Sequence, residues 1–172
     1  TTHTAMIMDP YLDQPDYRGE PVNDPQLLKK QIEIAHQHGI SVKIHCCGDR
    51  AVSMVLDFYE SAIRKYGRTG SRHAIEHIEI IQPEDVKRFE KLGIIASMQP
   101  EHMVVQVDNY EDNPYFEKYS QKQLSTSWNF RTLLDRNITV SFGSDCPVVD
   151  VNPLMGIYRA VTRKFNNGKP ES

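Results

Sequence analysis

The sequence predicts an α/β fold of the (β/α)8 TIM-barrel type. Short apolar runs alternate with amphipathic helical patterns along most of the 172 residues, and this order implies parallel strands joined by right-handed crossovers. A doubly wound sheet and a (β/α)8 barrel both have this order. The strand faces favour the barrel, because each strand has one apolar side for a helix layer and one small or polar side for a narrow interior.

The first predicted helix follows an irregular segment, residues 1–22, that is rich in Pro, Asp and Tyr. The run "NDPQLLKKQIEIAHQHG" carries apolar residues at helical spacing, with Asp24 as the cap, Pro25 at the first helical position and Gly39 as the stop. We therefore expect an irregular N-terminal segment over residues 1–22 and one α/β domain over residues 23–172.

The first strand is predicted in "ISVKIHCC", where Lys43 and His45 lie on one side and Ile44 lies on the other. Asp49 follows in a Gly-Asp pair and is expected to cap the next helix. Cys46 and Cys47 are interpreted as small buried apolar residues, because adjacent cysteines lack the spacing of a zinc knuckle.

The same strand–helix unit recurs toward the C-terminus. "RHAIEHIEII" and "IIASMQ" are predicted strands, and "PEDVKRFEKLG" is the helix between them. A polar and aromatic segment, about residues 100–124, has no clear period and is typical of a lid or binding loop. "STSWNFRTLLDRN" is predicted to be a helix capped by Ser125 or Ser127, followed by the strand "ITVSFGSD" and a last helix near Pro153.

The composition excludes several classes of function. The net charge is −3 without a basic block, so a nucleic-acid or membrane-surface partner has no electrostatic support. No apolar run approaches the roughly 20 residues of a membrane span, and the first residues lack the pattern of a signal peptide. Three cysteines, two of them adjacent, are a poor disulfide framework, which favours a cytoplasmic location.

Ligand-type residues recur where the predicted strands end. The last members of the interior-facing series are His45, His77, Gln99 and Asp145. Alternation places His77 on the same side as Ile75 and His73, and therefore opposite Glu76, whose first interpretation is structural. Because the carboxyl ends of parallel strands meet on one face of a barrel, two imidazoles and a carboxylate there predict a divalent-metal site.

Each of these residues also has a structural interpretation. A single histidine at a strand end is commonly a hydrogen-bonded structural residue, and we keep that interpretation for His73, His36 and His38. Asp145 in "GSDCP" alone would fit a turn, and Asp49 fits a helix cap better than a place near the metal. The agreement between several strands, rather than any one residue, favours the metal site.

Four stretches together resemble successive motifs of the amidohydrolase superfamily. They are "VKIHCCGDRAV", "RHAIEHIEII", "IIASMQPEHM" and "VSFGSDCPVVDVNPLMGIYRAVTR". They are most similar to the amidohydrolase family 3 branch, which contains YtcJ-like and N-substituted formamide deformylase-like metal-dependent hydrolases. The resemblance runs from about Tyr11 to Arg163, with the motifs in the family's order.

The resemblance implies a distorted (β/α)8 barrel that holds one or two divalent metals. It places His45, His77 and Asp145 at the ends of the fifth, sixth and eighth barrel strands. The histidines would bind metal, most simply zinc, although iron, manganese and nickel remain open. Asp145 would bind metal or its water and act as the catalytic proton carrier, and Gln99 and His102 would bind substrate.

The chain also departs from the family pattern. The His-x-His of the first strand and the ligand of the fourth are absent, and "CC" stands where the family has small or apolar residues. We therefore expect a partial barrel, strands 5 to 8 with their helices, within a longer hydrolase of amide, formamide or cyclic amide C–N bonds. Alone it should be inactive toward a small-molecule amide, and its open strand edges favour a homo-oligomer.

Three other functions remain open at this point. A phosphoesterase-like or deaminase-like member of the superfamily would share the same ligands. A regulatory or interaction module could keep a hydrolase-like core without catalysis. A doubly wound nucleotide-binding domain would also fit the element order, although no strand is followed by a GxGxxG loop.

Overall fold

Four short parallel strands form the central sheet of the computed structural model, which describes residues 4–104, 114–165 and 168. The strands are β1 (Lys43–Cys46), β2 (Ala74–His77), β3 (Ile95–Met98) and β4 (Val140–Phe142), and they lie in the order β1-β2-β3-β4. Every neighbouring pair is parallel. The predicted α/β class with parallel strands is confirmed, and the four carboxyl ends lie along one edge.

Helices connect these strands and cover one face of the sheet. They are α1 (Pro25–Gln37), α2 (Asp49–Tyr66), α3 (Pro83–Leu92), α4 (Pro114–Lys118), α5 (Gln121–Leu124), α6 (Phe130–Asp135) and α7 (Pro153–Thr162), with a 3₁₀ helix over Pro100–Val104. Among the residues described, no helix has both the length and the apolar character needed to cross a membrane. The predicted loop over about residues 100–124 contains short helices in its described part, and residues 105–113 lie outside the described residues.

Local signals account for most helix boundaries. Asp24 caps α1 by accepting the Leu27 backbone N–H at 2.8 Å, and Gly93 ends α3 with φ 71°. The capping of α6 by Ser125 or Ser127 was wrong, because both hydroxyls donate to carbonyls of the preceding turn at 2.7 Å. Asn129 occupies the position before α6 instead.

The two faces of the sheet differ in chemistry. On the helix side, Ile75, Ala96 and Met98 are fully buried against a core that includes Leu56 and Phe89. The opposite side lines an open groove of about 640 Å³ with polar residues of all four strands and of the turns that follow them. The alternation predicted for "IIASMQ" is therefore correct, and the groove is the polar side of the sheet.

The N-terminal segment packs onto the domain through Met6, Ile7 and the ring of Tyr11, which are buried. Gly48 permits this contact, since a Cβ at that position would lie 2.1 Å from the Met6 carbonyl oxygen. Gly48 is the cap position of α2, so the prediction that Asp49 caps the helix was wrong by one residue.

Asp49 is fully buried as the first residue of α2. Its carboxylate accepts the backbone N–H of Met8 and of Arg50, each at 2.9 Å, and the side-chain amide of Gln82. Its role is therefore structural, as the sequence interpretation favoured, but it joins three segments instead of capping one helix.

Candidate metal centre

His45 and His77 meet at the carboxyl ends of β1 and β2. Their rings are in edge-to-face contact, with centroids 4.3 Å apart and an interplanar angle of 71°. His45 is exposed to the groove, whereas His77 is only 5% exposed. The structure therefore brings together the two imidazoles that the sequence predicted to be neighbours.

The backbone of His77 explains how its ring reaches the groove. His77 pairs in register with Cys46, whose side chain lies in the core, so regular alternation would direct His77 into the helix layer. Instead His77 has φ 77° and Ile78 has φ 53°, a left-handed conformation that is costly for non-glycine residues. The Ile78 N–H donates to the Cys46 carbonyl at 3.0 Å and holds the turn in place.

The predicted sidedness of the second strand was therefore wrong. Ile75 lies in the core, and His73 is buried at the other end of the strand rather than in the groove. Glu76, which was expected opposite His77, lines the same groove as His77. Strained backbone of this kind is concentrated at functional sites, where a rare conformation directs a side chain toward a ligand.

Asp145 and His102 complete a second group around His77. Asp145 Oδ2 lies 3.9 Å from His77 Nε2, and Asp145 also has a positive φ of 56°. The ring of His102, in the 3₁₀ helix after β3, stacks 5.6 Å from that of His77. One ligand atom from each of His77, His102 and Asp145 lies within 4.8 Å of the others.

The buried imidazoles of this group have unused nitrogens. Within residues 4–104 and 114–165, His77 Nδ1 and His102 Nε2 have no hydrogen-bond partner. Burial lowers the pKa of His77 to about 4, with the nearby His45 adding to the effect, and burial also lowers the pKa of His102. Neutral imidazoles with free lone pairs beside a carboxylate form a donor set that fits a divalent metal.

Glu76 and Gln99 form a polar network in the groove. The Gln99 side-chain amide and the Ser97 hydroxyl donate to Glu76 Oε1, the latter at 2.9 Å, and Lys43 forms an ion pair with Glu76. Burial raises the pKa of Glu76, but these three partners outweigh it and leave the pKa below its usual range. Gln99 Oε1 is buried and has no partner among the described residues.

Cys47 lies in the same region, which the sequence interpretation missed. Cys46 fits the predicted buried apolar role, at 1% exposure in the core. Cys47 Sγ, however, lies 3.5 Å from His45 Nε2, and ligand atoms of His45, Cys47 and His77 lie within 4.8 Å of one another. Cys47 is two residues after His45, and alternation along a strand places such residues on the same side. This spacing was the sequence signal that could have placed Cys47 beside His45.

Residues 1–171 of the chain match the amidohydrolase family. The chain is 36% identical over 162 residues to Protein LONG AFTER FAR-RED 3 of Arabidopsis thaliana, covering 94% of this chain and 27% of that protein. It is 32% identical to the putative amidohydrolase YtcJ of Bacillus subtilis, covering 95% and 30%, respectively. It is 28% identical to the N-substituted formamide deformylase of Arthrobacter pascens, covering 79% and 24%.

A solved structure has the same fold over nearly the whole chain. It is an uncharacterized metal-dependent hydrolase from Pyrococcus horikoshii, with a TM-score of 0.80 and 26% identity over 98% of this chain and 32% of that one. The resemblance inferred from the four motifs is thereby confirmed. The chain spans less than a third of the length of each of these proteins.

Proposed function

The chain belongs to the amidohydrolase family, and on that premise we propose that it contributes to a metal-dependent hydrolase that cleaves C–N bonds in amides, formamides or cyclic amides. One observation carries the proposal: His45, His77 and Asp145 line one groove at the carboxyl ends of parallel strands. In addition, the buried ring of His77 has a nitrogen, Nδ1, without a partner among the described residues. The substrate class is supported by the likeness to the formamide deformylase.

In this proposal His45, His77 and Asp145 hold one divalent cation, for which zinc is the preferred choice. Zinc accepts imidazole and carboxylate ligands together and keeps an open position when the protein supplies three. A cation bound there would lower the pKa of a water molecule toward about 7 and polarise the substrate carbonyl. A second cation in the intact enzyme is compatible with the two ligand groups that share His77.

Asp145 would carry the proton during hydrolysis. Its Oδ2 atom lies at the groove and near His77, and its side chain keeps contact with solvent. The carboxylate would take a proton from the attacking water as the oxygen adds to the carbonyl carbon. It would then give that proton to the leaving nitrogen as the C–N bond breaks, so that an acid and an amine are formed.

Gln99 and His102 would bind the amide substrate. Both are buried, and each has one polar atom without a partner in the described chain, Gln99 Oε1 and His102 Nε2. With one cation bound and His102 not a ligand, the Gln99 oxygen would accept an N–H, and His102 with its proton on Nε2 would donate to a carbonyl oxygen. Together they complement the two polar atoms of an amide group.

We further propose that the sheet forms strands 5 to 8 of a (β/α)8 barrel, with residues 23–172 as the partial-barrel domain. The chain covers less than a third of the length of each relative, and this supports the arrangement. The chain alone should then be inactive, and the outer edges of β1 and β4 should favour self-association. The three free cysteines are compatible with a cytoplasmic location.

Metal content tests the proposal. Purified chain dialysed against zinc should retain about one equivalent, and His45→Ala and His77→Ala should each lose it. His38→Ala is the matched control, since that imidazole is exposed at the end of α1. If the wild-type chain retains no zinc, or if both variants retain it, the hydrolase proposal fails and a non-catalytic module becomes the better interpretation.

A further inference from the structure

We propose that Cys47, in place of Asp145, is the third protein ligand of the cation held by His45 and His77. The centre is then a thiolate site selective for zinc-like metals, and Asp145 carries the proton without binding the cation. The inference deepens the proposed function and rests on it. It adds a ligand that the motif resemblance does not supply, since "CC" stands where the family has small or apolar residues.

Three donor atoms of His45, Cys47 and His77 lie close together. Cys47 Sγ is 3.5 Å from His45 Nε2, and one ligand atom each of His45, Cys47 and His77 lies within 4.8 Å of the others. Ligands of one tetrahedral zinc are separated by about 3.3–3.8 Å when the zinc–nitrogen and zinc–sulfur distances are about 2.0 and 2.3 Å. The three atoms are therefore close enough for small side-chain movements to place them around one cation.

The buried ring of His77 indicates a bound ligand independently of Cys47. His77 is 5% exposed, and its Nδ1 atom lacks a partner among the residues that the structure describes. A buried, unpaired imidazole nitrogen costs free energy unless a ligand satisfies it. His77 also has a left-handed backbone conformation, which costs free energy at a non-glycine residue.

The two adjacent thiols, Cys46 and Cys47, differ in their contacts. Cys46 belongs to the apolar core cluster, whereas Cys47 Sγ contacts His45 Nε2, and both thiols line a cavity of about 450 Å³ beside the N-terminal segment. Cys47 is hydrogen-bonded to the buried Glu79, which in turn accepts the Tyr115 hydroxyl at 2.9 Å. Glu79 and Tyr115 thereby fix the position of one thiol whose sulfur lies beside His45, in the way that supporting residues position metal ligands.

The chemical consequence is metal selectivity. A coordinating thiol gives up its proton, so cation binding releases the Cys47 proton to solvent and forms a sulfur–metal bond. Thiolate with imidazole favours zinc, cobalt or cadmium, while magnesium, calcium and manganese prefer oxygen ligands. The centre should therefore discriminate against the latter group.

Cobalt substitution tests the inference through a readout other than activity. The metal-free 172-residue chain is titrated with Co²⁺, and its absorption spectrum is recorded. We expect visible cobalt bands together with a near-ultraviolet thiolate-to-cobalt band. Cys47→Ser should lose the near-ultraviolet band and keep the visible ones, while Cys146→Ser and Cys46→Ala should keep both. Cadmium NMR of the wild-type chain gives a second readout that needs no variant, because one sulfur ligand shifts the resonance downfield.

The outcomes separate the two proposals. Visible cobalt bands without a sulfur band in the wild type, or a sulfur band that persists in Cys47→Ser, overturn the Cys47 ligand and leave the proposed function standing. A wild-type chain that binds no cobalt overturns both. A cadmium resonance in the range of nitrogen and oxygen ligands also overturns the thiolate assignment, whatever the variants do.

Discussion

Two histidine pairs lie near opposite ends of β1 and β2 and differ in how completely they are hydrogen-bonded. One pair ends the two strands, and the other joins His36 of α1 to His73, which precedes β2. At the carboxyl ends, His45 and His77 form the rim pair, and the buried ring of His77 has a nitrogen without a partner in the described chain. Near the amino ends, His36 and His73 form the amino-end pair, with His36 Nδ1 and His73 Nε2 2.9 Å apart.

Every ring nitrogen of the amino-end pair has a hydrogen-bond partner. The Val42 N–H donates to His73 Nδ1 at 3.1 Å, and His36 Nε2 donates to the Gly67 carbonyl at 2.8 Å. His73 also stacks on Tyr59, with centroids 4.6 Å apart. Since both pairs consist of histidines and each has a buried member, we infer that unsatisfied nitrogens, not histidines as such, mark a candidate ligand site.

The comparison is tested most strongly by removing one ring from each pair in metal-free chain. His73→Ala should lower the free energy of unfolding by about 3 kcal/mol, because it leaves a cavity and unpaired buried partners. His77→Ala should cost at most about 1.5 kcal/mol, since it also removes an unpaired polar atom. Urea unfolding in the presence of a chelator measures both.

Zinc should then act on only one of the pairs. Saturating zinc should stabilise the wild type and His73→Ala but not His77→Ala, because a ligand stabilises only the state that binds it. His38→Ala should stay within about 0.5 kcal/mol of the wild type throughout, as exposed positions do. Equal losses of unfolding free energy in metal-free His73→Ala and His77→Ala would remove the distinction between the rim pair and the amino-end pair.

The amino-end pair should make the free energy of unfolding depend on pH. Burial, with His36 adding to it, lowers the pKa of His73 from 6.5 to about 4. The folded chain thus keeps the ring neutral while the unfolded chain protonates it, so the contribution is full above pH 6.5 and is lost as the pH falls toward 4. The loss should reach about 3 kcal/mol.

His73→Phe isolates this effect, since phenylalanine retains the stack on Tyr59 and cannot titrate. Its free energy of unfolding should fall less between about pH 7.5 and pH 4.5 than that of the wild type, when both are measured by urea titration with chelator. The variant will be less stable at neutral pH, so the slope and not the absolute value is diagnostic. An unchanged slope would show that another group causes the acid sensitivity.

The smallest expected effect concerns the backbone of the rim pair. Because His77 has φ 77°, His77→Gly should be more stable than His77→Ala by about 1 kcal/mol. At His45, an ordinary strand position, glycine should be less stable than alanine by about 0.5–1 kcal/mol. The same sign at both positions in thermal or urea unfolding would contradict the strained-turn explanation.

Local signals made most of the fold predictable from the sequence. Asp24 with Pro25, the helix that ends at Gly93, and the helix that starts at Pro153 all appear as expected. These features depend on one or two residues and their immediate backbone, so tertiary context changes them little. The misplaced cap of α2 followed from Gly48, whose role depends on a distant segment, the Met6 carbonyl.

The candidate site was predictable in its membership but not in its construction. His45, His77 and Asp145 line one groove, but His45 and Asp145 belong to two ligand groups that share His77. Strict alternation put His77 on the wrong side because a left-handed turn at a non-glycine residue has no sequence signal. Glu76 was misplaced by the same error. The metal-binding and substrate-binding roles of these residues, and of Gln99 and His102, stay predictions.

The most direct test is to locate zinc by anomalous scattering in crystals of the chain grown with the metal. We expect one strong peak at the rim pair, about 2.0–2.1 Å from a nitrogen of His45 and of His77, and no peak at His36 and His73. A peak at the amino-end pair, or no zinc at the rim pair in the presence of saturating zinc, would contradict the proposed metal site.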